Sequence, residues 1–236
     1  MAIMLTSSLA THIKDENGVR HSVPLKNINK IVSNIKKYVK KFDKVVYVAN
    51  NPNNYEENDE RKNTTFESLD KSGFVFKEKI LLDGRNSEKA KQILQNANLV
   101  ILCGGKCLCQ LNFFNQINLK EILKNFDGLV IGISAGTMNL CKTVANFPEE
   151  ECDLPEPRWL EGLGFYDKIV IPHFDGENLK YQIECEIDLV KDWILPMSFK
   201  EPFIGIPNDS YILIDGNKIK FYGNMYLIDA GKVSKI

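Results

Sequence analysis

Short runs of consecutive apolar residues alternate along most of this chain with stretches in which apolar positions recur every three or four residues. Unbroken apolar runs suit strands buried on both faces, and the wider spacing suits helices that lay one face on a sheet. The runs predict strands over 3–6, 44–49, 74–81, 99–102, 129–133 and 169–171, and the intervening stretches predict helices over 27–41, 58–71, 87–96, 111–125, 135–141 and 179–193. Such alternation gives a parallel sheet covered by helices on both faces. After residue 210 the texture changes. Short strands over 211–214, 218–221 and 225–228 are divided by Asp215-Gly216-Asn217 and Gly223-Asn224, the turn composition of antiparallel hairpins. With 236 residues, 44% of them hydrophobic, the chain can bury a sizeable core and reads as one domain over 1–236.

The apolar run at 129–133 ends abruptly in Gly132-Ile133-Ser134-Ala135-Gly136. A Gly-x-Ser-x-Gly string between a strand and a helix is the signature of a nucleophile elbow, where a tight turn lifts a serine hydroxyl clear of the backbone. The helix that follows would aim unpaired N–H groups and a positive dipole at the place where an oxyanion forms. The alternative is a glycine-lined turn that merely packs a helix closely on a sheet.

A serine nucleophile needs a base, and the chain has three histidines: His12, His21 and His173. His12 and His21 flank Lys14-Asp15-Glu16-Asn17-Gly18, which reads as an exposed loop. His173 instead follows the strand-like Ile169-Val170-Ile171-Pro172, where a parallel strand delivers its side chain to the carboxyl edge of a sheet, beside the predicted position of Ser134. His173 follows Ser134 by 39 residues and no later histidine exists, which argues against the serine, acid, histidine order of α/β-hydrolases. The group that orients the imidazole is open between Glu149, Glu150, Glu151 and Asp153 upstream and Asp175, Asn208 and Asp209 downstream.

Taken together, these blocks resemble the peptidase E, or aspartyl dipeptidase, family of serine peptidases, whose relatives include cyanophycinase. The resemblance covers most of the chain and rests on Leu5-Thr6-Ser7-Ser8, Gly104-Gly105, Gly132-Ile133-Ser134-Ala135-Gly136, Gly162-Leu163-Gly164, Pro172-His173-Phe174 and Ile206-Pro207-Asn208-Asp209-Ser210, in that order. It implies a three-layer, doubly wound, mostly parallel sheet of the class I glutamine amidotransferase-like and flavodoxin-like kind, with a C-terminal antiparallel hairpin region. It also implies Ser134 as nucleophile, His173 as base, and backbone N–H groups of Gly105 and Ala135 as oxyanion donors, with Gly104 beside them. An acidic residue treated as catalytic in the family falls by offset at Glu149.

The chain departs from the family in three places. Lys106-Cys107 stands where Asn-Thr usually follows the glycine pair. Ala145 stands at the offset of the arginine that binds a substrate aspartate, which weakens any expectation of specificity for N-terminal aspartate. Asn208 stands where some members have glutamate. Asparagine orients a histidine in papain-like proteases, so this last change is compatible with catalysis.

Composition narrows the partners. Thirty basic and 31 acidic side chains give a net charge of −1 and no long-range field for nucleic acid or an anionic membrane. The lysines at 36–41 read as the solvated face of a helix. The first apolar stretch, residues 1–5, is too short for a signal-peptide core or a membrane span, so a cytoplasmic protein with reduced cysteines is expected. Cys103, Cys107 and Cys109 lack a Cys-x-x-Cys pair, and neither a metal nor a cofactor is expected. The polar, proline-rich segment 146–160 reads either as a solvated connection or as a pocket wall or lid anchored by Trp159.

The resulting expectation is a serine-type hydrolase acting on small peptides through an acyl-enzyme, as a monomer or homodimer. Its rivals are an esterase or isopeptidase using the same site, and a peptide-binding homologue that has lost catalysis. A glutamine amidotransferase would need cysteine at position 134.

Overall fold

The computed structural model describes residues 1–147, 158–176 and 188–236. After β1 (Ala2–Thr6) the chain forms a hairpin of β2 (His12–Lys14) and β3 (Arg20–Ser22). Strand and helix then alternate through α1 (Ile31–Tyr38), β4 (Lys44–Val48), α2 (Tyr55–Lys71), β5 (Glu78–Leu82), α3 (Ala90–Leu94), β6 (Leu99–Leu102), α4 (Cys107–Gln116), α5 (Leu119–Lys124), β7 (Leu129–Ile133) and α6 (Ala135–Leu140). Next come β8 (Thr143–Asn146), β9 (Arg158–Glu161), β10 (Ile169–Pro172), a π-helical turn over Leu189–Ile194 that runs into α7 (Leu195–Met197), and β11 (Phe203–Ile206). The chain closes with β12 (Tyr211–Asp215), β13 (Lys218–Tyr222), β14 (Tyr226–Asp229) and β15 (Lys232–Lys235).

Side-chain alternation along the apolar strands splits the main core in two. Ile3, Leu5, Val46, Val48, Val100, Leu102 and Val130 face the layer of α3, α4, α5 and α6. Their neighbours Ala2, Met4, Val45, Tyr47, Leu99, Ile101 and Leu129 face α1 and α2. Each Val, Leu, Ile or Met side chain among them contributes about 1.5–3 kcal/mol on full burial, so helices on both faces follow from the apolar runs. The sheet between them has the order β13-β12-β1-β7-β6-β4-β5. The five strands from β1 to β5 are parallel, and β12 and β13 extend the β1 edge antiparallel. The fold is therefore the three-layer, doubly wound, mostly parallel arrangement that the resemblance implies, with the helix-covered parallel sheet that the apolar pattern predicts.

A second sheet has the order β10-β11-β14-β15, with β10 and β11 parallel and the rest antiparallel. Its core gathers Ile169, Ile171, Phe174, Ile194, Phe203 and Ile228. The predicted strand at 169–171 thus forms, but in this smaller sheet, and the C-terminal hairpin strands are divided between the two sheets. Strands β8, β9, β11 and β15 extend beyond the sequence reading.

Helix boundaries differ where the backbone turns left-handed. Asn29 and Lys30, at φ 50° and 67°, shorten the predicted helix 27–41, and Asn118 at φ 54° divides the predicted helix 111–125 in two. Phe74 and Phe76 are buried ahead of β5 without joining it. Of the predicted helix 179–193, residues 179–187 lie outside the described residues. The segment flanked by His12 and His21 is the β2–β3 hairpin, its turn held by Asp15, whose Oδ1 accepts from Asn17 N and Val19 N at 2.9 Å each.

Close packing of α6 on the sheet is the constraint most exposed to test. A Cβ on Gly136 would lie 2.3 Å from the Leu102 carbonyl oxygen, a rigid backbone atom. Gly136→Ala is expected to lower stability by about 3 kcal/mol as α6 is pushed off β6. A denaturant midpoint equal to wild type would contradict this packing.

Candidate active site

Strand β7 ends at Ile133 and α6 starts at Ala135, so Ser134 is the single residue of the turn, with φ 51° and ψ −112°. That conformation is strained for a residue with a Cβ and costs about 1–3 kcal/mol. Hydrogen bonds hold it on both sides. Ser134 N donates to Thr6 O at 2.9 Å, and Ser134 O accepts from Thr137 N at 2.9 Å and Met138 N at 3.0 Å. Thr6 N donates to Thr137 Oγ1 at 2.8 Å, Thr137 Oγ1 donates back to Thr6 O at 2.7 Å, and Thr6 Oγ1 donates to Gly132 O at 2.8 Å. Gly132 has no room for a side chain, since its Cβ would lie 2.8 Å from the Thr137 backbone. The glycines permit close packing, and that packing holds Ser134 at the turn.

His173 follows β10 in a left-handed conformation, φ 62°. Its Nε2 lies 2.9 Å from Ser134 Oγ and its Nδ1 lies 2.6 Å from Asn208 Oδ1. An amide oxygen only accepts, so Nδ1 carries the proton and Nε2 presents a lone pair to the serine hydroxyl. Burial pushes the His173 pKa below its usual 6.5, an effect that the Asn208 hydrogen bond opposes. A neutral imidazole at neutral pH is the consequence.

Ser7, which sequence reasoning quoted without a role, fixes this histidine. His173 N donates to Ser7 Oγ at 3.0 Å, and Ser7 Oγ donates to Ile206 O at 2.6 Å. One buried hydroxyl at the end of β1 thus ties the ends of β10 and β11 to the central sheet. Thr6 and Ser7 are polar residues that continue an apolar strand, and both are buried.

The loop after β6 lies against Ser134, a Cβ on Gly104 falling 3.2 Å from Ser134 Cβ. Gly105 has φ 144° and packs against Asn50, whose Cγ would be 2.5 Å from an added Cβ. Ala135 is the first residue of α6, a position whose N–H has no acceptor within its own helix. Gly104, Gly105, Ser134, His173 and Ser7 line one cleft of about 280 Å³. The β2–β3 hairpin supplies Thr11, His12 and Arg20 to its wall, and α2 supplies Arg61. Arg20 pairs with Glu60 at 2.6 Å and Arg61 with Glu57 at 2.6 Å. His12 and Arg20 lie on either side of residues 14–18, which read from sequence as an exposed loop. Folding of that segment into a hairpin brings them to the cleft. Burial, then Arg20, holds the His12 pKa down.

The remaining candidates separate clearly. Asp209 is not the partner of His173; its backbone carbonyl accepts from Asn29 Nδ2 at 2.6 Å. Glu149, with Glu150, Glu151 and Asp153, lies outside the described residues, as does most of the 146–160 segment. Trp159 stacks on Phe203 with ring centroids 5.9 Å apart. Ala145 is fully buried in the core of the second sheet, so that position does not face the cleft. His21 pairs with Asp15 at 2.8 Å on the hairpin. Cys103 lines the cleft, and burial pushes its pKa up to about 11, which keeps it a thiol at neutral pH. Cys107 Sγ bonds Asn139 Oδ1 at 3.1 Å. Among the described residues no group of His, Cys, Asp and Glu is arranged to hold a metal ion, and no helix is long and apolar enough to cross a membrane.

The chain is similar to two crystallised proteins. A peptidase from an acI-B1 actinobacterium shares 15% identity and a TM-score of 0.64, over 100% of this chain and 93% of the other. A protein assigned to peptidase E from Listeria monocytogenes EGD-e shares 16% identity and a TM-score of 0.59, over 93% of this chain and 96% of the other. At these identities the likeness is one of fold. Compared with curated protein sequences, the chain finds no match. The model of peptidase family S51 matches residues 23–222, which takes in the Gly104-Gly105 loop, Ser134, His173 and Asn208. By that match, over most of its length, the chain belongs to peptidase family S51 and is a serine peptidase.

Proposed function

We propose that the protein hydrolyses small peptides through an acyl-enzyme on Ser134, with His173 as base and Asn208 as the group that orients it. The observation that carries this reading is the continuous chain from Ser134 Oγ through His173 Nε2 and Nδ1 to Asn208 Oδ1, at 2.9 and 2.6 Å, opening on a cleft. His173 Nε2 takes the serine proton as Oγ attacks the peptide carbonyl. The N–H groups of Gly105 and Ala135 hold the oxyanion. His173 then returns the proton to the leaving amine, and a water activated by the same nitrogen releases the acyl group. Asn208 keeps the reactive tautomer in place without adding a charge.

A cleft of about 280 Å³ is at the small end for ligand pockets, and the β2–β3 hairpin walls it. It suits a dipeptide or the end of an oligopeptide better than a folded chain. With Ala145 buried in the second core, this position supplies no arginine to a substrate aspartate. The reading keeps the protein in the reducing cytoplasm.

A fluorophosphonate probe is expected to label wild-type protein at Ser134, and His173→Ala is expected to abolish the labelling. Ser134→Ala and His173→Ala should each lower peptide turnover by about 10⁴-fold or more. Folded wild-type protein that resists the probe would favour a peptide-binding role instead.

Only the neutral imidazole accepts the serine proton, so activity should rise with pH through a His173 pKa below 6.5. Asn208→Asp places a carboxylate beside the ring, favours the imidazolium and should move this limb to higher pH. A limb that stays in place on this substitution would remove Asn208 from its assigned role.

Ser7→Ala deletes two buried hydrogen bonds and should cost about 1–3 kcal/mol of stability, read as a lowered denaturant midpoint. Turnover should fall as well, because His173 loses its backbone anchor. Unchanged turnover would show that β10 and β11 position His173 without Ser7.

A further inference from the structure

We infer that Arg61 is a positioning residue that aims the oxyanion-binding N–H of Gly105, an inference that rests on the reading of Gly105 as an oxyanion donor. The peptide group between Gly104 and Gly105 is planar and, like every peptide in the described chain, trans. In a trans peptide the C=O and N–H point in opposite directions, so whatever holds the Gly104 oxygen also sets the direction of the Gly105 N–H. Arg61 Nη1 donates to that oxygen at 3.2 Å.

This peptide needs an external hold. Gly105 has φ 144° and no Cβ, and a glycine pair offers little resistance to a flipped peptide plane. The flanks of the loop are fixed by uncharged groups. Gln110 Nε2 donates to Cys103 O at 2.7 Å, while Asn50 accepts from Lys106 N at 3.0 Å and donates to Lys106 O at 2.8 Å. Arg61 holds the middle of the loop with a cation. A charged donor on the Gly104 carbonyl polarises the peptide group, which strengthens the N–H on its other side as a donor.

The guanidinium is itself anchored. Arg61 Nε and Nη2 both meet Glu57 Oε1, one helical turn earlier on α2, at 2.8 and 2.6 Å. Glu57 takes up one edge of the fork and Gly104 O the other, so the side chain joins α2 to the loop rather than extending into the cleft as an anion receptor. Preorganised oxyanion donors are the largest electrostatic contribution to acyl transfer, which makes their aim a sensitive point of the site.

The test compares wild type with Arg61→Met and Arg61→Lys in hydrolysis of p-nitrophenyl acetate, labelling by a fluorophosphonate, and inhibition by phenylboronic acid, which forms a tetrahedral adduct on an activated serine. Arg61→Met should lower kcat by about 10- to 100-fold with KM within about twofold, as expected for a misaimed oxyanion donor. Affinity for phenylboronic acid should fall in parallel, the acid limb set by His173 should stay in place, and Arg61→Lys should recover part of kcat. Thermal unfolding checks each variant. Should Arg61→Met fail to fold, Arg61→Lys decides alone, with an expected loss of about three- to tenfold in both kcat and phenylboronic acid affinity. Variants that match wild type, or that raise KM alone, overturn the inference while labelled wild-type protein leaves the catalytic reading standing. Wild-type protein that resists the fluorophosphonate overturns both.

Discussion

The site depends on one constrained residue. Ser134 must hold φ 51° and ψ −112° between β7 and α6, and no element on its own would keep it there. The strain of about 1–3 kcal/mol is offset by the hydrogen bonds that Thr6 and Thr137 make around the turn, at about 1 kcal/mol each. Those bonds exist because β1 lies beside β7 in parallel register, Thr6 opposite Ile133. Sheet order therefore precedes chemistry: β1 sits between β12 and β7, and the central position of β1 brings Thr6 to the elbow.

A second join brings His173 to Ser134. β10 belongs to a separate sheet with its own core, so the distance between Ser134 and His173 is a matter of how the two sheets meet. Ser7, one residue beyond Thr6, closes that distance by bonding both His173 N and Ile206 O. Residues 6 and 7 thus serve neighbouring tasks, one holding the Ser134 turn and one holding His173. Asn208 follows Ile206 by two residues, so the hydroxyl that holds the backbone of His173 also holds the strand end that leads to the partner of its ring.

The architecture was largely legible because apolar runs must be buried on both faces, and a strand-like run over 129–133 that passes into Gly-x-Ser-x-Gly admits few alternatives. Ser134 and His173 followed from the same logic. Asn208 was one of several open choices, since spacing along the chain does not say which side chain reaches the Nδ1 edge of a ring. Ser7, Arg20 and Arg61 carried no local signal of their place in the cleft: they converge only after β1, the β2–β3 hairpin and α2 pack together. The hairpin was missed for a related reason. Its strands are three residues long and none of their residues is fully buried, so periodicity is nearly absent and Asp15 side-chain bonds to the turn do much of the ordering.

The uncharged partner of His173 is consistent with the electrostatics around it. Arg20 and Arg61 line the cleft, and although each is paired with a glutamate, a carboxylate at position 208 would add a further charge beside a half-buried ring. An amide leaves the imidazole a weaker base, which slows proton abstraction for each neutral molecule, yet keeps more of the protein in the neutral, competent form as pH falls. A carboxylate would favour the imidazolium that forms in the transition state and would move the working range upward. On the mechanism proposed above, a weaker base leaves more of the transition-state stabilisation to the groups that would hold the oxyanion.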